Sequence, residues 1–240
     1  MDKYFDKGEI LNGYTITKIL GEGRYGIAYL GINQEEEKCV IKQLKEDELE
    51  RTRKKLFYEE KILRELNSPS FPKFISKFKD EYREGYILEY IEGKTFHRIL
   101  AKSKYIFSRS EIYNIASKVL GVVEELHNKN IVHRDIRPPN VIFKENKELA
   151  LIDFGLARVI DQKKYVKEMD YWYLGDFLIH LYYSSYSGKE SDEERPWYEE
   201  LSLIEEEKRF LKGLMEIDRK YESIDEIRGD LEDLKRINGQ

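Results

Sequence analysis

The sequence predicts an α+β fold in two parts: a small β-rich N-terminal part with one main helix, and a mainly helical C-terminal part. Residues 8–45 hold short runs of alternating or β-branched apolar residues around a glycine cluster, which predicts strands. From Ser108 onward, apolar residues recur at steps of three and four, which predicts amphipathic helices. We therefore expect the two parts to meet near Glu92.

Composition limits the kind of protein. The chain has 240 residues, enough for one or two domains with a real core. Its formal net charge of −5 argues against nucleic acid or a membrane surface as a partner. Cys39 is the only cysteine, so a disulfide framework and a cysteine zinc site are excluded. The first residues lack the apolar segment of a signal peptide, and no apolar run approaches ~18 residues, so we expect a cytoplasmic protein.

The glycine cluster lies between predicted strands. Tyr14–Leu20 alternates, Gly21–Gly26 has the form G-x-G-x-x-G, and Ile27–Ile32 and Cys39–Lys42 are again β-type. The glycine pattern alone is weak, because many turns and bulges use glycine. A dinucleotide-binding fold needs a helix directly after the glycines, and here a strand follows. Glycines in this setting allow main-chain N–H groups to approach phosphate oxygens.

The next elements are a helix and a strand pair. Residues 46–66 are charge-rich with leucine and isoleucine at helical spacing, and the prolines of Ser68–Pro72 end that pattern. Phe74–Phe78 and Tyr86–Tyr90 then predict two strands around a polar turn. Farther on, Ser108–Glu111 is a capping-box sequence at the start of a helix that ends near His127.

A polar segment and a hairpin follow this helix. Val141–Phe143 and Leu149–Ile152 are short apolar runs around a polar turn, which predicts paired strands. Asp135 and Asn140 precede the hairpin and Asp153 follows it. Oxygen-bearing side chains brought together in this way suit Mg²⁺, which is typically held by one or two carboxylates plus substrate phosphates.

Two motifs in this region resemble those of a known family. His133-Arg134-Asp135, followed after four residues by Asn140, resembles the catalytic-loop motif of protein kinases, and Asp153-Phe154-Gly155 resembles their metal-binding motif. Either motif alone is weak, but their order around a hairpin is specific. The chain resembles a compact bacterial or archaeal serine/threonine protein kinase of the protein-kinase-like superfamily, over about residues 14–235. The resemblance implies a bilobal α+β fold, with an N-lobe over residues 1–92 and a C-lobe over residues 93–240.

The resemblance also implies an ATP site in which each residue has a role. The glycine loop would cover the phosphates and Lys42 would contact the α- and β-phosphates. Leu88 would be the gatekeeper, the main chain of Glu89 and Ile91 would hold the adenine edge, and three apolar side chains would sandwich the ring. The implied nucleotide-binding residues are Gly21, Glu22, Gly23, Arg24, Tyr25, Gly26, Ala28, Val40, Lys42, Leu88, Glu89, Ile91 and Ile142.

A glutamate of the first helix should pair with Lys42, and Glu59 and Glu60 compete for this role. In the family this glutamate precedes an apolar pair by three and four residues, and Glu59 fits because Ile62 and Leu63 follow at those steps. We therefore expect Lys42 to pair with Glu59.

The remaining roles concern metal and chemistry. By the same resemblance, Asn140 and Asp153 would hold Mg²⁺, and Asp135 would accept or orient the proton of the acceptor hydroxyl. Arg137 stands where serine/threonine kinases have lysine, keeps the positive charge and would neutralise the transferred phosphoryl group. Downstream, Asp170–Gly175 resembles the start of the central large-lobe helix, whose aspartate anchors the catalytic loop through its backbone.

The segment after the metal-binding motif departs from the family. Only fourteen residues separate Gly155 from Asp170, too few for a full activation loop, a peptide-binding loop and their glutamate anchor. Tyr221 stands where the arginine partner of that anchor is expected. The segment contains no serine or threonine, and Tyr165 is its only hydroxyl. We therefore expect a site that assembles without activating phosphorylation, with no phosphate for Arg134 to meet.

The resulting functional prediction is ATP- and Mg²⁺-dependent phosphoryl transfer to a hydroxyl by a minimal serine/threonine protein kinase with a protein substrate. One alternative is a small-molecule or RNA-modification-associated kinase of the same superfamily, which the short segment allows. The other is a nucleotide-binding pseudokinase that acts as a scaffold. We expect neither nucleic acid nor membrane as a partner.

Overall fold

The computed structural model describes residues 2–24, 26–45, 49–188 and 195–239. The described chain divides into two compact units. The first contains the residues up to Glu92 together with Phe154–Leu156, and the second contains Gly93–Asp153 and the residues from Ala157 onward. The predicted α+β architecture, with strands in the first part and mainly helices in the second, is confirmed.

The first unit is built on a six-stranded antiparallel sheet with the order β1-β2-β3-β4-β6-β5. The strands are β1 (Ile10–Leu11), β2 (Tyr14–Glu22), β3 (Gly26–Ile32), β4 (Lys38–Leu44), β5 (Phe74–Lys79) and β6 (Glu84–Glu89). Helix α1 (Leu49–Glu65) connects β4 to β5. It contributes Ile62 and Leu63 to the core, and Phe154, in a short 3₁₀ turn, is also fully buried in this unit.

The two faces of this sheet carry different side chains, because successive side chains along a strand point to opposite faces. Tyr29, Ile41 and Ile87 are fully buried in the hydrophobic core on one face. On the opposite face, Lys42 of β4 pairs in register with Ala28 of β3 and with Tyr86 of β6. The register therefore places Lys42 and Tyr86 side by side.

The second unit contains short strands and six helices in its described part. Its strands are β7 (Lys94–Thr95), β8 (Ile131–Val132), β9 (Val141–Phe143), β10 (Leu149–Leu151) and β11 (Arg158–Val159), which form the sheets β10-β9-β7 and β11-β8. Its helices are α2 (Phe96–Ser103), α3 (Arg109–Asn128), α4 (Glu168–Tyr182), α5 (Trp197–Glu200), α6 (Glu205–Leu214) and α7 (Ile224–Asn238). In the described part of the chain, no helix combines the length and apolar character that crossing a membrane requires.

Helix α3 begins at the predicted capping box. The Ser108 side chain accepts the N–H of Glu111, and the Glu111 carboxylate accepts the N–H of Ser108. The apolar face of α3 is buried against α4 and α7, and α4 packs in turn on α6. Gly175 of α4 allows a close approach to α6, since a Cβ there would lie 3.1 Å from Leu214 Cβ and 2.8 Å from Met215 Cγ. These contacts fix the start of α4, which carries Asp170.

Candidate active site

Asp170 anchors the segment that carries Asp135. Its side chain is completely buried, and its carboxylate accepts the main-chain N–H groups of His133, at 3.0 and 3.1 Å, and of Arg134, at 2.7 Å. His127 Nε2 lies 3.0 Å from Asp170 Oδ2, so this nitrogen carries the proton. The end of α3, the start of α4 and the loop between them are thus tied to one carboxylate.

This anchor holds a constrained backbone. Arg134 has φ = 66°, in the left-handed region that costs energy for any residue with a Cβ. The hydrogen bond from its N–H to Asp170 helps to keep it there. The constraint sets the conformation directly before Asp135.

Asp135 is enclosed by two of the predicted site residues. Arg137 approaches with both ends of its guanidinium group, Nε at 2.6 Å from Oδ1 and Nη2 at 3.1 Å from Oδ2. Asn140 Nδ2 donates to Oδ2 at 2.7 Å and to the main-chain oxygen of Asp135 at 3.0 Å. Asp135 and Asn140 are buried, whereas the Arg137 side chain is 51% exposed. The hydrogen bond to Asp135 raises the pKa of Arg137 further, so this cation is permanent.

Asn140 and Asp153 lie at the same end of the β9–β10 hairpin. The N–H of Ile152 donates to the main-chain oxygen of Asn140 at 2.9 Å, and Asp153 is the next residue. Because Nδ2 of Asn140 is bonded to Asp135, its Oδ1 is the atom left to act as a ligand. One amide oxygen and one exposed carboxylate fit Mg²⁺, a hard cation that takes few protein ligands and several from phosphate and water.

The described residues contain no group of three or more His, Cys, Asp or Glu side chains that could hold a metal ion by themselves. Asn140 and Asp153 therefore remain predicted Mg²⁺ ligands, and the ion would need further ligands from phosphate and water.

His133 is buried without residual exposure in the same loop. Burial lowers its pKa, although the carboxylates of Asp170, Asp135 and Asp153 act in the opposite direction. The imidazole is therefore neutral around pH 7. This fits a residue that packs beneath the loop and does not exchange protons with substrate.

In the first unit, Lys42 pairs with Glu59 and not with Glu60. Lys42 Nζ lies 3.0 Å from Glu59 Oε1, and the Glu59 side chain is 1% exposed. Glu60 instead pairs with Arg64 and Lys77 on the solvent side. The structure thus brings together the two residues that the helix spacing selected.

Sequence reasoning missed Tyr86, which donates its hydroxyl to Glu59 Oε2 at 2.5 Å. Tyr86 is 5% exposed, and its ring centroid lies 5.6 Å from Lys42 Nζ. Only the pairing register of β4 with β6 brings these residues together, and that register cannot be read from a local pattern. Sequence reasoning likewise missed the bond between His127 and Asp170.

The three glycines of the Gly21–Gly26 pattern differ in their surroundings. A Cβ at Gly26 would lie 2.6 Å from the main-chain oxygen of Gln43, so strand packing explains this glycine. Gly21 and Gly23 have no atom within 4 Å of such a Cβ, so packing within the unit does not explain them. They are free for a ligand that approaches the backbone. Glu22 and Arg24 are exposed beside them, and the predicted contact Tyr25 lies outside the described residues.

The predicted adenine-binding residues lie along and after β6. Leu88 is 3% exposed and pairs in register with Val40. The N–H of Glu89 donates to the main-chain oxygen of Lys73 at 2.9 Å, which leaves its carbonyl as the group that can meet a base edge. Ile91 follows in the connection to Gly93 and is half-buried. Ile142 is buried in β9 of the second unit.

The short segment before α4 is held at several points. Arg158–Val159 pairs with Ile131–Val132, and the N–H of Ile160 donates to Asn130 O at 2.8 Å. The Asp161 side chain accepts three consecutive N–H groups, those of residues 163–165, at 2.8–2.9 Å. The Arg134 guanidinium lies 4.7 Å from the centroid of the Tyr165 ring.

Tyr221 stands at the position where the family is expected to have the arginine that pairs with the glutamate anchor. It is 1% exposed, and its hydroxyl donates to Asp230 at 2.7 Å. It is therefore a core residue of the α6–α7 region.

The described chain thus has an α+β fold with two compact units, and the second unit places Asp135, Arg137 and Asn140 in mutual contact beside the β9–β10 hairpin. Comparison with known proteins identifies the family. Residues 14–193 match the protein kinase domain family, so the chain belongs to it.

Similar proteins support this assignment. A probable serine/threonine-protein kinase of Bacillus subtilis, YbdM, is 34% identical over 96% of this chain and 93% of its own length. Myosin light chain kinase A of Dictyostelium discoideum is 32% identical over 64% of this chain and 54% of its own length. Serine/threonine-protein kinase B of Synechocystis is 28% identical over 62% of this chain and 28% of its own length.

The activity that these comparisons support is phosphoryl transfer by a serine/threonine protein kinase. The family generally uses ATP and Mg²⁺. The Bacillus subtilis relative, which covers 96% of the chain, favours this interpretation over a small-molecule kinase or a scaffold.

Proposed function

We propose that this chain transfers the γ-phosphoryl group of ATP to serine or threonine hydroxyls of a protein substrate, with Asp135 as the residue that receives the acceptor hydroxyl. The arrangement of Asp135, Asn140 and Arg137 on a loop fixed by Asp170 is the observation that supports this most strongly. The chemistry depends on positioning and charge neutralisation more than on covalent help from the protein.

Asp135 is suited to orient a hydroxyl and take its proton. Asn140 and Arg137 fix the rotation of its carboxylate, so that one geometry is presented to the acceptor. The exposed Arg137 side chain lets its guanidinium also meet the transferred phosphoryl group and neutralise its charge.

Asn140 and Asp153 are proposed as the Mg²⁺ ligands, through Asn140 Oδ1 and the Asp153 carboxylate. These two residues would hold the ion, which would offset the negative charge of the phosphates. Asn140 thus has two tasks, because its Nδ2 steadies Asp135 while its Oδ1 serves the metal.

The first unit is proposed to bind the nucleotide. Lys42, held by Glu59, contacts the α- and β-phosphates, and the open glycines Gly21 and Gly23 let main-chain N–H groups reach phosphate oxygens. Leu88, Val40 and Ala28 supply an apolar surface for the base, and the carbonyl of Glu89 accepts from its edge.

A protein acceptor is supported by an open groove of about 400 Å³ that adjoins Arg137 in the second unit. The groove is lined by His97, Leu100, Ala101, Arg137, Pro138, Pro139 and His180. An open surface groove of this kind admits an extended segment of another chain.

We further propose that the site needs no activating phosphate. The segment before α4 is already held by the β8–β11 pair, by Asn130 and by the three N–H groups on Asp161. An ordered segment removes the need for a phosphate to organise it.

The test is a transfer assay with purified protein, Mg²⁺, labelled ATP and a generic basic protein. We expect autophosphorylation or transfer in the wild type, with label on serine or threonine, and its loss in Asp135→Ala. Asp233→Asn, at an exposed position of α7 where Asp233 pairs with Arg236, is the matched control and should retain activity.

The assay also separates the alternatives. If the protein binds ATP with Mg²⁺ but labels no protein, including itself, the protein acceptor is wrong. A screen of small hydroxyl compounds then becomes the next measurement.

A further inference from the structure

Glu59 is held from two sides in the interior of the first unit. One carboxylate oxygen faces the Lys42 ammonium at 3.0 Å, and the other accepts the Tyr86 hydroxyl at 2.5 Å. Glu59 is 1% exposed and Tyr86 is 5% exposed, so water has little access to this carboxylate. Both oxygens therefore depend on protein donors.

The placement of Tyr86 follows from the sheet. Tyr86 of β6 and Lys42 of β4 are directly paired, so their side chains leave the sheet on the same face. Glu59 reaches both of them from α1. The Tyr86 ring also stacks on Phe74, with ring centroids 6.0 Å apart and planes 9° apart, which fixes the direction of the hydroxyl.

The Tyr86 hydroxyl also affects the position of the Lys42 ammonium. A lysine ammonium bonded to a single carboxylate oxygen can follow that carboxylate as it rotates. The Lys42 side chain is 22% exposed, so water offers it an alternative to Glu59. The second bond, from Tyr86, holds the carboxylate in one orientation, because rotation would leave a buried oxygen without its donor.

We propose that Tyr86 is a positioning residue for phosphoryl transfer, acting through Glu59 on Lys42. It touches no substrate, and its hydroxyl sets the orientation of Glu59 and hence the place of the Lys42 ammonium. This inference rests on the proposed role of Lys42 at the ATP phosphates.

The experiment compares Tyr86→Phe with Tyr29→Phe. Tyr29 is a buried tyrosine of the same sheet whose hydroxyl donates to Gln43 at 3.0 Å, and its side chain lies on the opposite face from Lys42. Each variant loses one buried hydroxyl. We expect Tyr86→Phe to lower kcat/KM for ATP by about tenfold, because a hydrogen bond to a charged group contributes more than one between neutral groups. The loss should appear mainly in kcat. Tyr29→Phe should lower thermal stability and leave kcat/KM within about twofold.

A double-mutant cycle tests whether Tyr86 acts through Glu59. In a Glu59→Ala background, Tyr86→Phe should change kcat/KM by less than about twofold, because the residue that transmits its effect is gone. A full tenfold loss in that background, or no loss from Tyr86→Phe in the wild type, would overturn the proposal.

The variant Lys42→Met distinguishes a failure of the Tyr86 inference from a failure of the proposed role of Lys42. If Lys42→Met retains full activity, the proposed role of Lys42 fails and the Tyr86 inference fails with it. If Lys42→Met and Glu59→Ala both lower kcat/KM strongly while Tyr86→Phe matches the wild type, only the Tyr86 inference fails.

Discussion

The buried imidazole of His133 makes the stability of the folded protein depend on pH. Burial lowers its pKa in the folded protein below the ordinary value of 6.5, whereas the unfolded chain keeps that ordinary value. Below pH ~6.5 the unfolded state therefore binds more protons at this site, and the folded state loses stability as pH falls. Above pH ~7.5 both states are neutral here, and the residue adds no pH dependence.

The prediction for His133 concerns this pH window. In urea titrations, the free energy of unfolding of the wild type should fall between pH 6.5 and 5 by up to ~1.4 kcal/mol per pH unit from this residue. His133→Leu, which cannot titrate, should show a shallower slope over the same range. Equal slopes would mean that His133 is charged in the folded protein.

The single carboxylate of Asp170 accepts the main-chain N–H groups of His133 and Arg134 and also contacts His127. In Asp170→Asn, one acceptor oxygen becomes a donor that faces other donors in a dry site. We expect a loss of about 3 kcal/mol in the free energy of unfolding, and a fall in kcat of at least about tenfold.

Asp233→Asn, at an exposed position of α7, is the control and should keep both quantities near the wild type. Denaturant unfolding and initial rates measure the two effects. Full activity in a folded Asp170→Asn variant would show that Asp135 does not depend on this anchor.

At the scale of elements, the segment between Gly155 and α4 is held without a phosphate. The cations Arg134 and Lys164 lie 4.7 and 5.4 Å from the Tyr165 ring centroid. Although burial acts to raise it, the positive charges of Lys164, Arg158 and Arg134 lower the pKa of Tyr165. The aromatic face is the feature that Arg134 contacts.

The prediction for Tyr165 separates its ring from its hydroxyl. Tyr165→Phe keeps the aromatic face and should retain wild-type kcat, whereas Tyr165→Ala should lose about two- to fivefold, the effect of an exposed cation–π contact. Phosphatase treatment of the wild type should leave activity unchanged. If Tyr165→Phe falls as far as Tyr165→Ala and mass spectrometry finds phosphate on Tyr165, the segment is phosphate-regulated.

Local patterns predicted the elements well where the signal lies in neighbouring residues. Three features depend on residues that are close in the chain: the cap at Ser108, the Gly21–Gly26 pattern and the hairpin after Asn140. Lys42 and Glu59 were chosen from motif context and helical spacing. Tyr86 could not be chosen in this way, because its role depends on a strand register set by contacts distant in sequence.

At the scale of the whole molecule, Cys39 offers a probe of how the first unit opens. It is the only cysteine, it is completely buried in β4, and burial raises the pKa of its thiol to about 12. The thiolate is the reactive species, so alkylation at pH 8 requires exposure of β4 to solvent. The labelling rate therefore reports the population of open molecules.

If ATP binds the first unit with Mg²⁺, it should slow the labelling of Cys39. A ligand at about 100 times its Kd lowers the open population by about a hundredfold, and the labelling rate should fall in proportion. The rate is followed by mass spectrometry with iodoacetamide in excess, and urea-unfolded protein gives the rate of the free thiol. Lys42→Met should label slowly without nucleotide but lose most of the protection by ATP. If ATP with Mg²⁺ leaves the wild-type rate unchanged, β4 and its neighbours do not form the nucleotide site.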